Sequence, residues 1–478
     1  MKRDSLALIA QHQKSVESPL EAINFYQNTS KGAKNPVTIR GTPGTRYLFT
    51  TGIGPGRGNG LVFQEAGYFV SGTKLIRINS ELGVTEVGTL LTSFGYVTMS
   101  SNGNQLFIRD SAAGYNWNGT TFTQVTDPDY PPGRHSAFVG GFTVLENSAS
   151  VGQFSVSDSY NSASYQPLNF ATAELSPDRA YVPFALHNEL LVFGEDTTEV
   201  YRLSSNPDFP FEPVLNTSIG YGVQAPRSVV QADNTVYWLS SNREGHNVFL
   251  RLNGYIAHVV STRELEEELA GFTLASDCES YSYQAGGHVF VVFTFVADDR
   301  TFVYDITEDR WHRRSSSGLG RHIGSGYVFF QKRHILGSVN SAEFLEYRDD
   351  VYTDGRLLNP IRRELVLPHI HNAGRRLNIH RVEFDFDAGI GVVTGQGSQP
   401  KATVYYSKNR GKTFSAGTEI SLGALGEFFK TPRVKLLGVA FTHTLKIVVA
   451  DPVRVTLLGV YFLYTPLDMY EEPSEGGQ

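Results

Sequence analysis

Asn234-Thr-Val-Tyr-Trp-Leu239 opens the most legible stretch of the chain: a polar launch residue, then a run of β-branched and aromatic side chains. A second run, Asn247-Val-Phe-Leu-Arg-Leu252, follows after a turn. Asn253-Gly254 then leads into Tyr255-Ile-Ala-His-Val-Val260. Strands joined by Asn-Gly-type turns form an antiparallel meander. The launch cue recurs as Gly67-Tyr-Phe-Val70, Gly103-Asn-Gln-Leu-Phe-Ile108, Gly140-Gly-Phe-Thr-Val144, Asn188-Glu-Leu-Leu-Val-Phe193 and Gly286-Gly-His-Val-Phe-Val-Val292. A weaker copy is Arg333-His-Ile-Leu-Gly337. The steps between copies run from about 36 to 52 residues, near the period of four-stranded propeller blades. The chain is therefore expected to be all-β, with a β-propeller of six or seven blades.

Second strands follow most cues, as in Lys74-Leu-Ile-Arg-Ile78, Glu199-Val-Tyr-Arg-Leu203 and Thr301-Phe-Val-Tyr-Asp305. One helix interrupts the meander: Ser261-Thr-Arg-Glu264 reads as a capping box ahead of Leu265-Glu-Glu-Glu-Leu269. Residues 1–60 read as an irregular arm with turn-rich loops and a weak helical pattern near 4–22. The propeller is expected over 61–355. From 356 to 466 the grammar changes to longer alternating strands, such as His380-Arg-Val-Glu-Phe-Asp-Phe386 and Lys401-Ala-Thr-Val-Tyr-Tyr406, which read as a C-terminal β-sandwich. Residues 467–478 read as a flexible acidic tail.

Composition agrees with this reading. Forty-seven glycines and 55 tyrosines and phenylalanines in 478 residues suit short strands and tight turns, as does a charged fraction of 19%. A net charge of −7 argues against a protein that grips nucleic acid through a basic surface. It leaves room for a local basic patch, or for a channel that lets DNA slide past. Cys278 is the single cysteine, so no intramolecular disulfide can form, which leans towards assembly in a reducing cytoplasm. The apolar run near the N-terminus breaks at Gln11-His12-Gln13, too early for a signal-peptide core. No stretch approaches the roughly 18 apolar residues of a membrane span.

Several segments invite a chemical reading. Gly52-Ile-Gly-Pro-Gly-Arg-Gly58 looks like a phosphate loop, yet a nucleotide fingerprint needs a preceding strand and a following helix, and here strand-like residues follow. A turn-rich loop is the better account. Ser407-Lys-Asn-Arg-Gly-Lys-Thr-Phe414 resembles the Asp-box hairpin of sialidases, with Asn409 in place of the Asp and Phe414 in place of the Trp. That hairpin is structural, with Gly411 where positive φ is needed. His369 and His371 share a strand face and could serve a metal, but no third ligand accompanies them. Glu195-Asp196 and Asp298-Asp299 are paired acids at expected turns. Arg313-Arg314, Arg362-Arg363 and Arg375-Arg376 are basic pairs whose default role is solvated or interfacial. No catalytic, cofactor-binding or metal-ligating set is assigned, and the chain is read as non-enzymatic.

Ordered segments along the whole chain resemble the tail-hub or nozzle proteins of short-tailed bacteriophages, also called packaged-DNA stabilisation proteins. The resemblance runs from Ile23-Asn-Phe-Tyr26 and Thr42-Pro-Gly44 through Gly95-Tyr-Val-Thr-Met-Ser-Ser-Asn-Gly-Asn-Gln-Leu106. It is strongest from Gln166-Pro-Leu-Asn-Phe-Ala171, Val192-Phe-Gly-Glu195 and Thr198-Glu-Val-Tyr201 to Asn206-Pro-Asp-Phe-Pro-Phe211. Gly220-Tyr-Gly222, Tyr237-Trp-Leu239, Asn253-Gly-Tyr255, Tyr405-Tyr-Ser-Lys-Asn-Arg-Gly411 and the region from Gly438 to Leu463 continue it. It implies a virion tail component assembled in the host cytoplasm. It further implies a hexameric ring below the portal and adaptor proteins that extends the DNA channel, retains packaged DNA and allows its ejection. Spikes, fibres or a needle would dock on it, and DNA would pass without sequence-specific binding. The rival readings are a propeller glycosidase or sialidase acting on surface polysaccharide, which needs converging carboxylates or an arginine triad, and a host-binding tail fibre.

Overall fold

Several launches of the recurring cue occupy or follow two-residue turns with left-handed backbone. φ is positive at both members of Gly140–Gly141, Asp233–Asn234, Gly286–Gly287, Gln64–Glu65 and Gln331–Lys332. These are the turns whose twist matches that of the strands they join. Each links the first strand of a meander to its second, as in Ser136–Val139 to Phe142–Glu146. The computed structural model describes residues 1–11, 13–14, 19–30, 32, 36–173, 180–206, 209–242 and 244–467. The expected acidic tail, Leu467 apart, lies outside the described residues.

The chain divides into two units, Thr45–Thr301 with Arg321–Arg348, and Met1–Gly44 with Phe302–Gly320 and Asp349–Gln478. The first is the propeller. Six of its blades are separate four-stranded antiparallel sheets. Five are continuous in sequence, running over Leu61–Thr89, Thr98–Gln124, Ser136–Thr172, Ala180–Pro213 and Val230–Val259. The sixth takes Gly324–Phe330, Arg333–Ser338 and Glu343–Arg348 and is completed by the early strand Gly44–Thr50. A strand from near the start thus closes the ring on its last blade. Between the fifth and sixth blades stands the hairpin of Glu279–Ala285 and His288–Phe295. Its first strand packs beside Val230–Ala232 on one side and Gly324–Phe330 on the other.

Apolar side chains fill the seams between neighbouring blades. Tyr68, Leu75, Leu106, Ile108 and Trp117 pack the first against the second. Phe107, Leu145 and Tyr165 join the second to the third. Val156, Leu190 and Val192 carry the third to the fourth, and Leu191, Phe193, Trp238 and Leu250 the fourth to the fifth. Phe69, Ile76, Ile335 and Phe344 seal the sixth against the first. Strand faces that alternate between two seams explain why the second strands read as continuous apolar runs. Buried indoles keep partners: Trp238 Nε1 donates to the Gly222 carbonyl at 3.0 Å, and Trp117 Nε1 to Tyr68 Oη at 3.0 Å.

The short helix is present at Arg263–Leu269, but Thr262 caps it, accepting from the Leu265 N–H. Ser261 instead donates to Glu266 Oε1 at 2.7 Å.

The second unit is a two-sheet sandwich. Thr456–Pro466 pairs along one side with Leu377–Phe386, which carries Arg433–Ala440, and on its other side with Val37–Gly41 and Lys2–Leu6. The facing sheet orders Pro19–Ile23, Arg363–Val366, Thr442–Val449, Lys401–Ser407 and Thr418–Ser421. Phe25, Ile39, Leu365, Ile379, Phe384, Val404, Ile447 and Val460 share its core. The expectation of an irregular arm over 1–60 is corrected here. Met1–Gly44 supplies strands to the sandwich, and Gly44–Thr50 belongs to a blade. The weak helical pattern near 4–22 yields to strands at Lys2–Leu6 and Pro19–Ile23. The long strand Thr456–Pro466 offers an open edge, and an edge takes a pairing partner in preference to a marginal isolated helix.

Candidate functional site

The glycine-rich loop 52–58 leads into strand Leu61–Phe63, not a helix, and its arginine serves the protein itself. Arg57 is buried, and its guanidinium donates to the carbonyls of Gly72 (2.8 Å), Thr92 (2.8 Å), Phe94 (2.6 Å) and Gly95 (2.8 Å), and to Thr92 Oγ1 (2.7 Å). Thr92 in turn donates to Asp110, and Tyr115 Oη accepts from the Leu91 N–H. Burial pulls the Arg57 pKa down, with Asp110 opposing it. All this holds the loop 91–95, which presents Leu91 and Phe94 to solvent. Arg57→Met is expected to free that loop. Chymotrypsin should then cut after Phe94 at least about tenfold faster under native conditions, because local opening sets such rates. Unchanged cleavage would refute the brace.

The remaining sequence candidates are also drawn into local structure. Ser407 Oγ accepts from the Gly411 N–H, and Asn409 Oδ1 from the Thr413 N–H, which closes the Asp-box-like hairpin on itself. Lys446 lies over the rings of Tyr405 and Phe414 at 5.0 and 4.9 Å. His369 Nδ1 meets Thr444 Oγ1 at 2.6 Å, while His371 is exposed. Among the described residues no group of three His, Cys, Asp or Glu side chains could hold a metal ion. Asp298 accepts from the N–H groups of Thr273 and Leu274, and Asp299 from that of Arg321. Glu195 and Asp196 are exposed at a turn.

The arginine pairs do not form one basic face. Arg313 pairs with Glu21 at 3.3 Å, Arg362 with Glu364, and Arg376 lies over Phe441. Arg314 and Arg363 are buried. Arg363 reaches the carbonyls of Thr42 and Asp451, and burial brings its pKa down to about 10 against the pull of Asp354. Ser316 donates to Asp354 at 2.7 Å. The Thr42-Pro-Gly44 segment is shaped by the same neighbourhood. A Cβ at Gly41 would stand 2.5 Å from Arg363 Nε, and one at Gly44 2.1 Å from the Thr353 carbonyl.

The lead strands of successive blades run side by side around the propeller axis, Leu61–Phe63 next to Thr98–Ser101 and, at the closure, Gly324–Phe330 next to Leu61–Phe63. A polar clasp sits among them. Glu279 accepts from Arg227 at 2.6 Å and from Ser325 Oγ at 3.3 Å. Arg227 lies over the Tyr96 ring, 5.5 Å from its centroid. Asn59 donates to the Ser280 carbonyl and accepts from the Tyr327 N–H, both at 3.0 Å. Burial raises the Tyr96 pKa, so its hydroxyl stays protonated. The space left between these groups is of water size. A second charged cluster lies by the second and third blades. Arg109 donates to the carbonyls of Pro131, His135 and Glu146, and Glu146 Oε1 accepts from the Arg134 N–H at 2.5 Å. Burial pushes Glu146 up to about 7 and His135 down to about 3. Neither cluster was legible beforehand. Arg227 and Glu279 stand 52 positions apart, and no spacing rule joins them.

A propeller continued by a sandwich, with its polar groups knitted into braces and clasps, defines an all-β protein of two domains. The profile described as "Bacteriophage P22 Gp10, beta-propeller" matches residues 22–348, and "Bacteriophage P22 Gp10, beta-sandwich" matches 362–462. The chain belongs to the bacteriophage P22 Gp10 family. It is a structural protein of a phage tail and so a component of the virion. Among solved structures, it is similar to the N-terminal domain of Nup159, with 11% identity over 68% of this chain and 98% of that one and a TM-score of 0.40. The Neurospora crassa Pan2 WD40 domain gives 8% identity over 70% and 97%, TM-score 0.38. The extracellular domain of BT4673 from B. thetaiotaomicron gives 10% over 85% and 57%, TM-score 0.44. No curated protein sequence matches the chain. Among the described residues no helix is long and apolar enough to cross a membrane.

Proposed function

We propose that the chain is a tail-hub, or nozzle, subunit that lengthens the DNA channel below the portal and its adaptor ring. Six copies form a ring that retains packaged DNA, lets it leave on ejection and offers docking sites for spikes, fibres or a needle. The observation that carries this reading is the family match through both domains in chain order. A net charge of −7 supports a lumen that does not hold DNA by its phosphates. A cyclic ring needs heterologous contacts between neighbours. The exposed Leu91 and Phe94, held in place by Arg57, suit one anchor within such a wider contact, because a preformed apolar knob loses little entropy on docking.

The test is complementation. Virions assembled without this chain should package DNA and then lose it, seen as nuclease-sensitive genome. Adding the purified chain should restore protection at six copies per tail. Heads that keep their DNA without it would overturn the reading. So would release of sugars from surface polysaccharide by the purified chain, or a stable trimer with no affinity for the adaptor ring.

A further inference from the structure

Two loops of the sandwich unit carry an apolar tip that no described residue covers. One is Ala388-Gly-Ile-Gly-Val-Val-Thr-Gly395, the other Gly423-Ala-Leu-Gly-Glu-Phe-Phe-Lys430. Phe429 is 100% exposed, Val393 80%, Phe428 67%, Leu425 60% and Val392 39%. The loops are laced into one surface. The Gly426 N–H donates to the Gly389 carbonyl at 3.2 Å, and a Cβ at Gly389 would meet the Phe428 ring at 2.7 Å. A Cβ at Gly391 would stand 3.0 Å from the Leu425 nitrogen. Ile390, between these two glycines, packs against the sandwich core and anchors the tip from below. Positive φ at Gly389, Gly423 and Gly426 sets the tight reversals that leave the large side chains outside.

We propose that this tip inserts into the interfacial layer of a lipid bilayer with zwitterionic headgroups. Charge and area decide between occupants. The charged groups at the tip's edge are already matched, Glu427 with Lys430 at 3.5 Å and Asp387 with Arg454 at 2.5 Å. No excess positive charge is left to seek anionic headgroups, and none of either sign to steer a charged protein surface. The two phenylalanines bring about 150–250 Å² each, and only five apolar residues form the tip. A stable protein interface takes roughly 20–30 residues a side. Five side chains on two loop ends fall well short of that, but they match shallow insertion of about 5–10 Å. Insertion stops there because irregular loop backbone has no place in the hydrocarbon itself. This inference stands apart from the hub reading, since it concerns the isolated chain and lipid rather than DNA retention.

The experiment is flotation of the purified full chain with phosphatidylcholine–phosphatidylethanolamine vesicles. The chain should float with them, equally at low and high salt and with no gain from added phosphatidylglycerol. Phe428→Ser with Phe429→Ser should lower the bound fraction at least about tenfold, with an unchanged thermal midpoint because both rings are exposed. Phe429→Trp should show a blue-shifted emission on vesicle addition. Failure of the parent chain to float, equal flotation of the double variant, or binding abolished by salt would overturn the proposal. So would a parent chain that self-associates in sedimentation while the double variant stays monomeric, which would make the tip a contact between copies.

Discussion

Glu146→Gln is expected to stabilise the propeller at pH 8 by about 3 kcal/mol and to make it sensitive to acid between about pH 4.5 and 6.5, where the parent is not. Glu146 is buried, and burial outweighs the attraction of Arg109 and Arg134, so its folded pKa is about 7 against a reference of 4.5. The folded chain therefore holds an extra proton between those values. The stability Glu146 confers falls as pH rises through that window, by about 1.4 kcal/mol per unit. His135 works in the opposite sense. Burial, with Arg109, Arg227 and Arg134 nearby, lowers its pKa from 6.5 to about 3. The unfolded chain takes that proton below 6.5 and the folded chain does not, so stability drains away as pH falls towards 3. Between about 4.5 and 6.5 the two slopes cancel, and the parent should be flat there. Glutamine keeps an oxygen for the Arg134 N–H but carries no charge to desolvate. The variant should then gain at pH 8 and lose about 1.4 kcal/mol per unit on acidification below 6.5. Urea unfolding from pH 4 to 8 reads both features. Parallel profiles for parent and variant would sink the account.

How much of this was legible depended on whether a signal was local. The blades were, because a two-residue turn with positive φ at both positions favours Gly, Asn or Asp, and Gly140–Gly141, Asp233–Asn234 and Gly286–Gly287 oblige. Two turns of the same geometry use Gln64–Glu65 and Gln331–Lys332, residues with no preference for that backbone. The cue at Arg333 is weak for this reason, and the cue at Gly67 begins after its turn. The N-terminal strands were hidden for another reason. Lys2–Leu6 is a strand because Thr456–Pro466 accepts it, and that partner lies at the far end of the sequence. The braces are hidden in the same way. Arg57 reads as one residue of a glycine-rich loop until Thr92 and Phe94 are brought beside it. The exposed tip at Phe428-Phe429 carries no local signal, because apolar residues ordinarily lie inside and sequence does not say which loop end stands free.

Asp354→Ala should destabilise the sandwich unit by about 1–3 kcal/mol, because it removes the main opposite charge acting on a buried arginine and a partner of the Ser316 hydroxyl. Arg363 is fully buried and remains protonated near neutrality, since its pKa, though lowered by burial, is still about 10. The influences that hold it up are Asp354 and, less strongly, Tyr352, while Arg314 pushes the other way. Without the Asp354 carboxylate, Arg363 keeps two long carbonyl contacts, 3.3 Å to Thr42 and 3.4 Å to Asp451, and faces Arg314 in a medium that screens poorly. Water cannot replace the lost charge, and Gly41 and Gly44 leave no slack, because side chains there would already collide with Arg363 and Thr353. Asp354→Asn keeps an acceptor for the Ser316 hydroxyl and should cost less than alanine. The decisive comparison is a double-mutant cycle with Arg363→Met. If the loss comes from a stranded charge, removing the charge as well should recover much of it, and the coupling energy should exceed 1 kcal/mol. Glu419→Ala, which breaks the exposed Lys401–Glu419 pair, serves as the control and should leave the unfolding midpoint unchanged. Denaturant unfolding of the parent and the five variants reads all of this. Additive losses from Asp354→Ala and Arg363→Met would mean that the two side chains act separately, and that Asp354 matters through contacts other than Arg363, the Ser316 hydroxyl among them.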